Sequence, residues 1–145
     1  RWISAEPLIG PLELEDYLSG DCAPVDYGGA FYEESGPALD WVVVGGESGN
    51  GSRPFDLSWA RNIVHDCEEA GVACFVKQLG KRPFDTGHDS VGHDSEISHD
   101  ADVSTKTLED LLKEYPVKLK SRKGADPGEW EAYLRVRQFP EARAM

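Results

Sequence analysis

The stretch from Trp41 to Leu79 constrains the fold of this chain more than any other. "LDWVVVGG" is a near-continuous apolar run, the pattern of a strand covered on both faces. "DLSWARNIVHDCEEAG" follows, with Trp59, Ile63, Cys67 and Ala70 at helical spacing, Asp56 or Ser58 as N-cap and Gly71 as stop signal. "VACFVKQLG" then reads as a second apolar strand. Strand, loop, helix, strand is the connection that joins parallel neighbours, normally by a right-handed crossover.

The flanking segments fit the same class. "RWISAEPLIG" alternates weakly and reads as a strand ended by Pro7. "PLELEDYL" has the length for one or two helical turns, and "TLEDLLKEYP" for a short helix capped by Thr107 and stopped by Pro116. Residues 20–38 and 85–104 are polar or rich in Gly, Pro and acid, and are expected to be flexible loops. Trp130, Tyr133, Leu134, Val136 and Phe139 are expected to dock an otherwise irregular C-terminal tail on the body. The expected fold is α/β: partial (β/α) barrel-like, with a small, mostly parallel sheet and flanking helices. At 145 residues the chain is a single domain or the C-terminal half of a larger (β/α) barrel. A start inside a strand, without Met, reads as a cut end.

Charge narrows the partners. The formal net charge of −12 argues against non-specific nucleic-acid binding, which Lys and Arg drive. Eight of the fifteen basic residues nevertheless lie from Lys113 onward, so a phosphate-bearing ligand stays open. "KSRKGAD" either brings Lys120, Arg122 and Lys123 to phosphates or an acidic partner, or forms a solvated turn; the solvated turn is the simpler reading. Cys22, Cys67 and Cys74 make no C-x-x-C pair, and an odd count favours reduced thiols and the cytoplasm. Cys67 and Cys74 are expected to be buried and inert. No apolar run is long enough to span a membrane. His88, His93 and His99 match no metal-site spacing, His65 reads as a surface or boundary residue, and nothing forms a Ser-His-Asp triad. No metal site and no catalytic residue is assigned.

In parallel α/β folds ligands sit where strands end at their carboxyl side. Each expected strand ends in polar groups: Glu6 on the first, Glu47 on the second, Lys77 and Gln78 on the third. Gly45 and Gly46 allow close backbone approach, Glu47 can accept from an amine or ribose hydroxyls, and Arg53 adds a charge for carboxylate or phosphate. The alternative for Glu47 is a tight turn in which it pairs with Arg53 or caps the helix. Lys77, late in an apolar strand, either pairs with Glu47 or Glu6 or faces the site.

"SAEPLIGPLEL", the stretch from Leu39 to Gly80, and "RKGADPGEWEAYLRVRQFP" together resemble a phage protein family, gp thirty-seven / gp sixty-eight, a domain of unknown function. Full-length members look like radical S-adenosylmethionine proteins with an N-terminal cysteine cluster for a [4Fe-4S] centre. This chain resembles the C-terminal half and lacks that cluster, so it would hold neither cofactor unaided, and catalysis would need the missing N-terminal half or a second chain. The resemblance implies that Glu6, Gly45, Gly46, Glu47, Ser48, Arg53, Lys77 and Gln78 line a barrel mouth. It also implies a host-cell cytoplasmic location. Two further readings compete: an acidic, non-enzymatic phage module that binds a host protein, and nucleotide binding without radical chemistry. The enzyme fragment predicts an open sheet edge. The self-contained module predicts edges covered by the loop at 20–38 and the tail.

Overall fold

The computed structural model describes residues 1–19, 39–87 and 105–141. A three-stranded parallel sheet forms in the order β1 (Trp2–Ala5), β2 (Trp41–Gly45), β4 (Ala73–Gln78). Helix α2 (Leu57–Glu69) makes the crossover between β2 and β4. Of the two candidate N-caps Asp56 serves, its Oδ1 accepting from the Ser58 N–H at 2.9 Å. Gly71 ends the helix region at a φ of +65°, a conformation that glycine adopts without penalty.

Period-two alternation assigns the two faces of the sheet. Val42, Val44, Cys74 and Val76 turn to the core and meet Ala60, Ile63, Val64 and Cys67 of α2. Each large side chain buried there contributes about 1.5–3 kcal/mol. The expected burial of Cys67 and Cys74 is found. The hydrogen bond with the neighbouring Cys74 thiol, and then burial, push the Cys67 thiol well above its ordinary value, which keeps it protonated and unreactive. The opposite face carries Trp2, Trp41 and Phe75, joined by Phe139 of the tail through ring contacts of 5.3–6.4 Å. Trp2 and Phe139 remain largely exposed.

The single-turn helix α1 (Glu15–Leu18) seats Leu14 and Leu18 in the same core. Two elements had no signal in the pattern: β3 (Phe55–Asp56) and β5 (Pro83–Phe84), a two-residue parallel pair. Helix α3 (Leu108–Glu114) is capped by Thr107 as expected, and the chain then returns along β5, with the Val117 N–H donating to the Pro83 carbonyl.

The tail is irregular, built on short 3-10 turns at Pro127–Glu129 and Ala132–Leu134. Its last stretch runs antiparallel along the outer edge of β4: Val76 N–H donates to Val136 O, and Gln138 N–H to Cys74 O, both at 2.9 Å. Trp130 and Leu134 are buried as expected, whereas Tyr133 and Phe139 stay exposed. Among the described residues nothing pairs with the free edge of β1, and the sheet does not close into a barrel. The expected loop at 20–38 lies outside the described residues, as does most of the one at 85–104. Asp85 and Thr86, where the second begins, are held by Arg61 and Asp56 respectively.

Candidate functional site

The parallel arrangement brings the carboxyl ends of β1, β2 and β4 side by side, as the sequence pattern predicts. Glu6 leaves the end of β1 and lies over Gly45 of β2. A Cβ built on Gly45 would fall 2.5 Å from Glu6 Oε1, so glycine is what lets the carboxylate cross the strand. On the far side Lys77 Nζ donates to Glu6 Oε2 at 3.2 Å, and Ser4 Oγ donates to the same oxygen at 3.1 Å. The register shifts between Val44 and Gly45, which pair with Val76 and Gln78, leaving Lys77 as the extra residue of a bulge. The cost expected of an ammonium in an apolar strand does not arise. Lys77 stands on the face away from α2, and its side chain is 56% exposed.

Gln78 bonds to the β2 end twice, its N–H side chain donating to Gly46 O and its own carbonyl accepting from Gly46 N–H, each at 2.9 Å. Gly46 is glycine for a second steric reason, since a Cβ there would meet the Leu79 carbonyl oxygen at 2.6 Å. Beyond it, Glu47 turns inward to Arg53. Its Oε2 accepts from Arg53 Nε at 2.9 Å and from the Arg53 backbone N–H at 3.1 Å. These bonds hold the Glu47 carboxyl below the usual carboxylate range. Glu47 and Arg53 thus take the tight-turn arrangement. Ser48 is half-buried beside them.

All eight residues expected at this end are therefore found on adjacent strand ends and the loop after β2. Glu6, Gly45 and Lys77 form one group, Glu47 and Arg53 another, and Gly46 with Gln78 ties the strands together. Two clefts lie elsewhere. One of ≈ 810 Å³ sits at the amino ends of the strands against Trp2, Trp41 and Phe139, and one of ≈ 740 Å³ lies between α1 and α2 and includes His65. The residues that line these two clefts include none of the strand-end group, whose case rests on converging polar groups.

A second charged cluster escaped sequence reasoning. Arg61 of α2 is almost fully buried and forks between two carboxylates, bonding Asp85 at 2.6 and 2.8 Å and Glu131 at 2.6 and 2.9 Å. The bonds to Asp85 and Glu131 push the Arg61 guanidinium further up, and Arg61 holds Asp85 down. Nearby Asp56, buried at the helix cap, is pushed up by loss of water. Because Arg61 unites α2, the end of β5 and the tail, we read it as an architectural tie. Among the described residues no group of three or more His, Cys, Asp or Glu side chains could hold a metal ion. His88, His93, His99 and Cys22 lie outside those residues. No helix of the described residues is long and apolar enough to cross a membrane.

Fold and site define an α/β protein with a short parallel sheet, polar groups gathered at the strand carboxyl ends and one edge sealed by its own tail. The chain belongs to the family described as "Protein of unknown function (DUF5131)", whose sequence pattern matches residues 1–130. This meets the expectation of a domain of unknown function. Neither a curated protein nor a solved structure matches the chain.

Proposed function

We propose that the carboxyl ends of β1, β2 and β4 form part of the ligand mouth of a larger (β/α) protein of the radical S-adenosylmethionine kind, of phage type. The observation that carries this reading is the Glu6–Lys77 pair laid across Gly45. Its two opposite charges, at the end where parallel folds bind ligands, suit the ammonium and carboxylate of an amino-acid moiety. Opening the pair is inexpensive on the lysine side, because the Lys77 side chain is 56% exposed and surface ion pairs are worth only about 0–1 kcal/mol. Glu6 would take the ammonium and Lys77 the carboxylate, and Glu47 would be available to ribose hydroxyls once released from Arg53. When bound with an iron–sulfur cluster, S-adenosylmethionine supplies a radical by reductive cleavage. The described cysteines do not suit that cluster, since Cys67 and Cys74 are both buried in the core. Iron ligands would come from another segment or chain, and the edge of β1, unpaired among the described residues, favours such a completion.

The test starts from native protein isolated anaerobically, with intact mass, iron content and calorimetric titration by S-adenosylmethionine and methionine. We expect a mass above 16.0 kDa with bound iron, and an affinity that Glu6→Gln or Lys77→Met weakens about tenfold, the scale of one charge-assisted contact. A 16.0 kDa, iron-free protein that binds neither compound would overturn the reading.

One feature favours a second reading, an acidic module that engages a host protein. The tail seals the β4 edge, as a self-contained module requires. The same titration separates the two, because such a module binds no amino-acid ligand.

A further inference from the structure

We propose that the rim of this strand end holds an anion site for a phosphate-bearing ligand, formed by Lys81, Arg122 and Lys123; the proposal rests on the reading of this end as a ligand mouth. Three loops are stacked there by backbone contact. Gly80, at a φ of +80°, lies so close to the β2 loop that a Cβ would stand 2.8 Å from Glu47 O, and Lys81 N–H donates to that oxygen at 3.0 Å. Gly124, at a φ of +60°, presses on Gly80 in turn, where a Cβ would stand 2.4 Å from Gly80 O. Leu79 N–H donates to Gly124 O at 2.8 Å, and Trp130 Nε1 donates to the same oxygen at 3.1 Å. Lys81 follows Gly80 directly and Lys123 precedes Gly124 directly, so the basic turn is seated against the strand ends.

The turn is also held from behind. Glu129 accepts the backbone N–H groups of Lys120 and Ser121, and Ser121 Oγ accepts from the Ala125 N–H. The backbone is fixed while the basic side chains stay exposed.

Charge accounting gives the sign of the ligand. Glu6 is committed to Lys77, Glu47 to Arg53 and Glu109 to Arg82. Glu129 and Asp126 accept from backbone N–H groups and keep their charges, so the turn from Lys118 to Glu129 sets four cations against two carboxylates. Lys81, Arg122 and Lys123 have no carboxylate partner among the described residues. The rim therefore carries a local excess of positive charge on a chain whose net charge is −12. Arg and Lys in exposed positions on a fixed backbone are the usual recognition groups for phosphate oxygens.

The test is calorimetric titration of the protein with inorganic pyrophosphate and with ATP at low and physiological salt. We expect binding that weakens with salt, and a loss of about tenfold in each of Lys81→Ala and Lys123→Ala. Lys113→Ala, an exposed cation on α3, should bind as the parent does. Pyrophosphate affinity unchanged in the Lys81→Ala/Lys123→Ala double variant would overturn the site. So would binding of a single-stranded oligonucleotide with no response to pyrophosphate or ATP. Silence toward both phosphates while S-adenosylmethionine binds normally would sink this inference and leave the strand-end reading standing. Lysine-dependent pyrophosphate binding without amino-acid binding would establish the rim and remove the amino-acid reading.

Discussion

Substitution of Gly124 by alanine should be among the most damaging turn changes in this protein, and its cost can be built from two separable parts. A φ of +60° costs an L-residue about 1–2 kcal/mol relative to glycine. The new Cβ would also stand 2.4 Å from Gly80 O, a backbone atom that cannot swing away as a side chain would. The turn must retreat, which strips the Leu79 N–H of its acceptor, a further loss of about 1–3 kcal/mol for a buried donor. The sum is about 2–5 kcal/mol, or a fall in melting temperature of roughly 4–20 °C for a domain of this size. Two other glycines isolate the parts. Gly71, at +65° with nothing near its Cβ, should show only the backbone part, about 1–2 kcal/mol. Gly10 has neither a left-handed φ nor a neighbour, so its alanine variant should be neutral or more stable by about 0.4–1 kcal/mol. Urea titration of the three variants, with thermal melts alongside, measures all of these. If Gly124→Ala loses no more than Gly71→Ala, the contact with Gly80 is not a fixed clasp, and the seating of Lys123 beside Lys81 falls with it.

Replacing Arg61 by Met should destabilise the protein by about 2 kcal/mol, less than for a fully buried pair because Asp85 and Glu131 keep some water. An unchanged urea midpoint would mean that the cluster contributes no net stability. Asp56→Asn should be as stable as the parent or more so at pH 7, since Asn caps equally well and spares the burial of a charge. The sign follows from the raised folded-state value of Asp56. Its contribution is fully present below the unfolded value near 3.8 and is lost as pH rises through the folded one, so any advantage of the variant should vanish on acidification through that window. A difference that stays constant from pH 7 to below 4 would contradict the assignment.

The parts of this structure that could be read from sequence are those whose causes are local. The unit from β2 through α2 to β4 is contiguous, its strands apolar and its helix periodic, so class and parallel pairing followed together. The meeting of Glu6, Gly45 and Lys77 followed from that pairing, because parallel neighbours must share an end. Arg61 was not legible. It stands between apolar positions in "SWARNIV", where an arginine normally reaches solvent, and its partners lie 24 and 70 residues away. The β3–β5 pair is too short to carry a period. The docking of the basic turn was hidden because its contacts are made by glycine backbones, Gly80 and Gly124, which leave no hydrophobic trace. Two glycines each beside a lysine were the available signal, and a solvated turn looks the same.

The tail along β4 gives the sheet a direction of growth. With that edge occupied from within the chain, the edge that the described residues leave unpaired for a further strand is that of β1, next to Trp2 and the residue that leads into Glu6. An incoming strand would therefore sit adjacent to the acidic member of the Glu6–Lys77 pair and away from the lysine. Whatever completes this sheet would gain access to the carboxylate first, so the architecture makes the two charges of one ion pair unequal in who can reach them.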